Sequence, residues 1–287
     1  MEINAQVARR LEEVAQLLEE QGANVFRVRA YRRGADTVRR LVRPASEILE
    51  QEGIEGLRRL PGVGDRLAVA IRHVVHTGRL PMLDRLRGET DPVELLQTVP
   101  GIGPVQAARL HEELGIDSLE DLEAAAHDGR LTDVAGLGSK RVAGIIDSLA
   151  TRLGRVRPPS RNTMGEAPIE ELLDVDREYR ERADAGELHK IAPKRFNPNR
   201  DAWLPILHTQ RGERHYTALY SNTAHAHQLG KTLDWVILYY DGPSGEQQCT
   251  VITAGFGPLK GRRIARGREQ ECAGYYALDT SPMARGA

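Results

Sequence analysis

The sequence predicts a multidomain protein. An all-α first half, built on repeated glycine hairpins, precedes a smaller α+β domain with a mainly antiparallel sheet. Three observations predict this. Helical periodicity dominates up to about residue 150. A twelve-residue pattern recurs three times within that stretch, without gaps. Beyond residue 168, short β-branched and aromatic runs alternate with turn residues.

The helices come first. In residues 5–21, Val7, Leu11, Val14, Leu17 and Leu18 fall on one helical face, and Gly22 closes the helix. A second helix is predicted over 25–42, ended by Pro44. A short third helix covers 46–51 with Ser46 as its cap. A further turn, IEGLRRL, leads into Pro61-Gly62.

The repeat follows. Residues 60–71 read LPGVGDRLAVAI, residues 99–110 read VPGIGPVQAARL, and residues 134–145 read VAGLGSKRVAGI. Each copy places an apolar residue and Pro or Ala before Gly-apolar-Gly and an amphipathic helix. The first glycines, Gly62, Gly101 and Gly136, stand 39 and 35 residues apart. The pattern suits a helix that must end, turn tightly and restart at an angle. Both glycines of each copy are expected to supply φ > 0, which other residues resist. The residue between them (Val63, Ile102 or Leu137) plugs the corner into the core. The second glycine (Gly64, Gly103 or Gly138) leaves no side chain over the new helix N-terminus, so backbone N–H groups face outward where a phosphate can sit. Pro104 fits a first helical position, which needs no N–H donor. These are helix-hairpin-helix motifs.

The second half reads differently. Residues 153–168 are rich in Pro, Arg and Ser and read as a linker. A helix is predicted over 169–183. Strands are predicted over 203–209, 216–221, 235–241 and 248–254, with a turn at 241–246 between the last two. A helix over 221–229 and a final one over 267–277 complete the domain. The domain boundaries are therefore 1–90, 91–152, the linker 153–168, and 169–287.

Composition narrows the function classes. The chain has 287 residues and a net charge of −1, so overall charge does not mark a nucleic-acid binder. Its distribution does: residues 24–43 hold seven arginines against one acid, Asp36. Such a stripe serves as an electrostatic footprint. No run of 18 apolar residues is present, which argues against a membrane partner. The first residues lack a signal-peptide layout, so a cytoplasmic, nucleoid-associated location is expected. Cys249 and Cys272 have neither metal-site nor disulfide-framework spacing and are expected to be reduced. The first 139 residues contain no lysine.

The blocks NVFRVRAYRRGADTVRRL, LRRLPGVGDRLAVAI and HTGRLPMLDRL resemble the N-terminal DNA-binding domain of family X DNA polymerases, the lyase domain of the beta-type members. The second repeat and LGIDSLEDLEAA resemble the next segment of the same family. The likeness runs from residue 1 to about 152. It implies that Arg27 and Arg66 stand where beta-type enzymes place lysines on a 5′ phosphate, with Tyr31 and Arg32 in the same pocket. It implies further that the hairpins at Gly62–Gly64 and Gly101–Gly103 bind backbone phosphates beside a gap, with a monovalent cation. No other cofactor is indicated. The third hairpin, Gly136 and Gly138, has Ala135 in place of proline, and Lys140 gives it a phosphate donor. DNA with gaps, nicks or single-stranded character is the expected partner.

Two departures limit the resemblance. Ala70 occupies the position of the lysine that would form a Schiff base, and a guanidinium cannot replace that amine. A polymerase palm is also missing. The Asp-x-Asp at Asp174 and Asp176 falls in a helical pattern, where the two carboxylates point to different faces. Neither lyase nor polymerase chemistry is expected.

For the C-terminal domain three readings stay open. A metal-dependent nuclease would use His208, His215, His225 or His227 with Glu213 or Asp234. An acid/base nuclease would use His208 or His215 with Tyr216. Otherwise these side chains cap, pack or face solvent. No metal site is assigned. Residues 257–269 (GPLKGRRIARGRE), with Lys260, Arg262, Arg263, Arg266 and Arg268, read as a phosphate-contacting loop or a solvated one.

Overall fold

A computed structural model describes residues 2–89, 92–153, 167–242 and 245–279. Most of the expected linker, residues 154–166, lies outside the described residues, as does part of the turn at 241–246. The chain forms two compact units. One comprises Met1–Thr90, His189–Trp203 and Leu207–Thr209; the other comprises Asp91–Leu188, Leu204–Ile206 and Gln210–Ala287.

The first unit holds α1 (Glu2–Glu20), α2 (Val25–Arg39), α3 (Ala45–Arg58), α4 (Asp65–Thr77) and α5 (Pro81–Arg87). The apolar stripe of α1 is buried at Val7, Leu11, Val14 and Leu18, as its periodicity predicts. Asn24 caps α2 by accepting a hydrogen bond from the Phe26 amide at 2.8 Å. Asn4 ties the N-terminus of α3 to α1. Its carbonyl accepts from the Ala45 amide at 2.7 Å, and its amide donates to the Arg43 carbonyl at 3.0 Å. Helix α3 is longer than the predicted 46–51 and breaks at Gly53 (φ 65°), which accounts for the two separate helical stretches in the sequence pattern. Residues 189–203 run with these helices: the Lys194 amide donates to the Gly88 carbonyl at 2.8 Å.

The second unit holds α6 (Pro92–Gln97), α7 (Pro104–Leu114), α8 (Leu119–His127), a 3-10 turn (Arg130–Asp133) and α9 (Ser139–Arg152). Their core includes Leu96, Leu110, Ile116, Leu122, Ile145 and Leu149, each at most 1% exposed. Helix α10 (Ile169–Asp184) follows, then β1 (His189–Ile191), β2 (Leu204–Arg211), β3 (Arg214–Tyr220), α11 (Ala224–Gln228), β4 (Val236–Gly242), β5 (Gly245–Thr253), β6 (Arg263–Ala265) and α12 (Glu269–Asp279). The strands form one sheet in chain order, β1 to β6. Pairing is antiparallel, with Tyr216 opposite Tyr240, Leu238 opposite Cys249, and Val251 opposite Ala265. Strands β1 and β6 are too short to show an alternating pattern, and the sequence reading missed both.

Helix α10 is fixed to the sheet by polar bonds at a buried face. The Tyr179 hydroxyl donates to the Pro205 carbonyl at 2.9 Å and accepts from the Tyr220 amide at 2.8 Å. The Tyr216 hydroxyl donates to Glu171 at 2.7 Å. In the same unit, the buried Asp117 accepts from the Ala224 amide at the start of α11, at 2.7 Å. No helix among the described residues is long and apolar enough to cross a membrane.

Candidate nucleic-acid interface

The three hairpins share one backbone design. In each, the amide of the plug residue closes a tight turn: Val63 to the Leu60 carbonyl (3.0 Å), Ile102 to Val99 (3.1 Å), Leu137 to Val134 (3.0 Å). The plugs are buried, at 4%, 5% and 1% exposure. The first glycines are left-handed, with φ of 73°, 90° and 91° at Gly62, Gly101 and Gly136. The second glycines differ from expectation. Gly64 (φ −85°) and Gly103 (φ −88°) are extended helix N-caps, a conformation open to any residue. A side chain there is excluded by no neighbour at Gly64 and Gly138, and at Gly103 only by the end of Gln106. Glycine at this place leaves the helix N-terminus bare. No side chain caps α4 or α7, so their first amides face outward. Pro104 takes the first position of α7, as predicted.

The second and third hairpins interlock reciprocally. A Cβ on Gly101 would lie 3.5 Å from Cγ of Arg141 on α9, and one on Gly136 would lie 3.2 Å from Nε2 of Gln106 on α7. The 35-residue offset between these repeats turns each contact into the other. The tandem is therefore a pseudo-two-fold pair. Arg141 also donates to the Gly136 carbonyl at 2.6 Å, and Arg109 to the Ala135 carbonyl at 3.1 Å. Lys140 is exposed on the first turn of α9.

The first hairpin packs on α2 instead. Thr37 donates to the Pro61 carbonyl at 2.7 Å, and Gly62 faces Cβ of Arg33. Arg66 is exposed on the first turn of α4, where Asp65 pairs with Arg58 at 2.7 Å. The arginine stripe is divided. Arg32 makes two bonds to Glu19, at 2.6 and 3.2 Å, while Arg39 meets Asp36 and Glu12, and Arg43 meets Glu47 and Glu52. Arg27 makes no carboxylate pair among the described residues. Its guanidinium lies 3.8 Å from the sulfur of Met82, and the Tyr31 hydroxyl points at the same sulfur at 3.2 Å. Ala70 is buried on α4. Three neighbours of this cluster escaped sequence reasoning: Met82, Arg85 and Gln21. A buried arginine in the apolar stripe of MLDRL was the signal for Arg85.

The C-terminal candidates have separate partners. His208 meets Gln21 at 2.9 Å within the first unit. Tyr216 is buried against Glu171. His225 stacks 5.3 Å from Trp235, and His227 meets Asn222 at 2.6 Å. His215 lies partly buried on β3. Among the described residues, no three His, Cys, Asp or Glu side chains converge on a metal position. Asp174 and Asp176 point apart, as helical spacing demands. Asp174 pairs with Arg211 at 2.6 Å, and the fully buried Asp176 pairs with Arg263 at 2.6 Å. Two cations of the 257–269 segment are thereby internal. Arg263 also bonds Asp234, and Arg268, 7% exposed, donates to the Ala167 carbonyl and to Glu271.

Hairpins, plugs and bare helix starts define the first half as tandem helix-hairpin-helix. Residues 2–80 match the model of a helix-hairpin-helix domain, and residues 93–151 match that of a SAM-like helix-hairpin-helix tandem. The DNA polymerase/3′-5′ exonuclease PolX of Bacillus subtilis is 30% identical over 145 residues, covering 50% of this chain and 24% of that protein. DNA polymerase lambda of Arabidopsis thaliana is 34% identical over 108 residues, covering 36% of this chain and 18% of that protein. The chain is thus homologous, over its N-terminal half, to family X DNA polymerases, and the matches span under a quarter of those relatives' lengths.

Proposed function

We propose that this protein binds DNA by its backbone, without regard to sequence but selectively for gapped, nicked or 5′-phosphorylated structures, in DNA repair or processing. One observation carries the reading: three hairpins of the same backbone geometry each leave a helix N-terminus without a side-chain cap. Amides at a helix start and exposed arginines are phosphate donors, and phosphate contacts hold position without reading bases. Homology to DNA polymerases over the same residues supports the reading. The absence of an amine at Ala70 argues that this region holds DNA rather than cleaving it.

Fluorescence anisotropy tests the reading. Gapped, nicked and intact duplexes of two unrelated sequences are titrated over a range of salt. Affinity should ignore sequence, favour the interrupted duplexes, and fall steeply with salt. Six to ten phosphate contacts correspond to a loss of roughly 10³–10⁵ between about 50 and 200 mM. Affinity that is sequence-dependent or indifferent to salt would overturn it.

A further inference from the structure

His208 sits among residues drawn from distant parts of the chain, all within the first compact unit. Its Nε2 meets Oε1 of Gln21 at 2.9 Å, and Nε2 of Gln21 donates to the Leu86 carbonyl at 2.8 Å. That second bond orients the Gln21 amide, so its oxygen faces the imidazole. His208 therefore carries its proton on Nε2, and a second proton would enter at Nδ1. Arg85 precedes Leu86 on α5 and is 4% exposed; Gln21 is 7% exposed. Met82, one turn earlier on α5, receives Arg27 and Tyr31 from α2.

The charge in this cluster is unusual for the molecule. Arg32, Arg39, Arg43 and Arg87 each meet a carboxylate. Arg27 meets only a sulfur among the described residues, beside a buried Arg85. Burial, then the fields of Arg27, Arg85 and His189, hold His208 well below the ordinary histidine pKa. Cations gathered around a neutral histidine are relieved by an anion. An arriving dianion offsets the field of the guanidiniums and lets the imidazole protonate.

We propose that Arg27, Tyr31, Arg85, His189 and His208 form a receptor for a phosphate monoester at a DNA end, and that His208 takes a proton from solvent at Nδ1 as the phosphate docks. The proposal rests on the DNA-binding reading above and gives it a chemical group. His208 comes from β2, outside the half of the chain with polymerase homology, so the receptor is particular to this chain's architecture.

The test uses the full chain, gapped duplexes with a downstream 5′-phosphate or 5′-hydroxyl, and pH from about 5.5 to 8. The wild type should prefer the phosphate by about tenfold or more, the scale of a charge-assisted contact. The phosphate itself titrates near about pH 6 and affects every variant alike, so His208→Gln is the reference. Relative to H208Q, the wild-type preference should grow as pH falls, while affinity for the 5′-hydroxyl duplex stays equal. Identical preference and pH profile in the two proteins would overturn the proposal. Failure to bind either duplex would instead refute the hairpin reading. The receptor is then tested with inorganic phosphate, following the His208 ring by NMR. A rise in its pKa supports the receptor, and an unmoved pKa overturns it. Arg85→Met should abolish that rise.

Discussion

Arg263 on β6 grips the buried carboxylate of Asp176 on α10 with two bonds, 2.6 and 3.0 Å long. Asp176 is fully buried, so its charge depends on this partner. Arg263→Met should destabilise the protein by about 3–5 kcal/mol, because it strands a buried charge. Replacing both residues by apolar ones of similar size should recover much of that loss. Urea unfolding of the single and double variants checks this. A single variant within about 0.5 kcal/mol of wild type would refute it.

The two glycines of a hairpin should behave oppositely. Gly62→Val forces a β-branched residue to φ 73° and should cost about 1–3 kcal/mol of stability as well as DNA affinity. Gly64→Leu meets no neighbour and an ordinary φ, so stability should change by less than about 0.5 kcal/mol. Its side chain would cover the start of α4, and affinity should fall. Equal stability loss in both variants would show that the second glycine is structural after all.

Stability should decline at both ends of the pH scale. His208 has a lowered folded pKa. The unfolded chain therefore binds the extra proton first as pH falls below about 6.5, and stability drops from there. His208→Gln should remove part of that acid slope. Tyr179 has a folded pKa raised mainly by burial. Above about pH 10 the unfolded chain releases its phenolic proton while the folded one keeps it, so stability falls with rising pH. Tyr179→Phe should flatten the alkaline slope. Denaturation midpoints across pH, unchanged in either variant, would contradict these assignments.

Borohydride trapping on a DNA bearing a 5′ abasic sugar phosphate should leave no adduct on any side chain of residues 2–89. That segment contains no lysine, and Ala70 lies buried where the resemblance would place one. A trapped peptide from this segment would reverse the expectation.

Much of the first half was legible because its signals are local. Gly62, Gly101 and Gly136 announce their φ values through spacing alone, and the plugs Val63, Ile102 and Leu137 announce their burial. The second glycines misled, since a bare N-cap and a left-handed turn both read as glycine. Long-range partners left no such trace. Nothing near Asp176 in the sequence names Arg263, 87 residues away, as its counter-ion. The short strands β1 and β6 were likewise unreadable, because three residues cannot display a two-residue period.

The cysteines offer a use beyond packing. Cys249 on β5 and Cys272 on α12 are buried free thiols, and Cys272 accepts the Ala265 amide at 3.3 Å. Burial raises the Cys272 pKa, so little thiolate forms at neutral pH. The rest of the chain holds no cysteine. Labelling by a thiol reagent is thus a clock set inside the sheet unit alone: it ticks when that unit opens and stays silent while the helices of the other unit breathe.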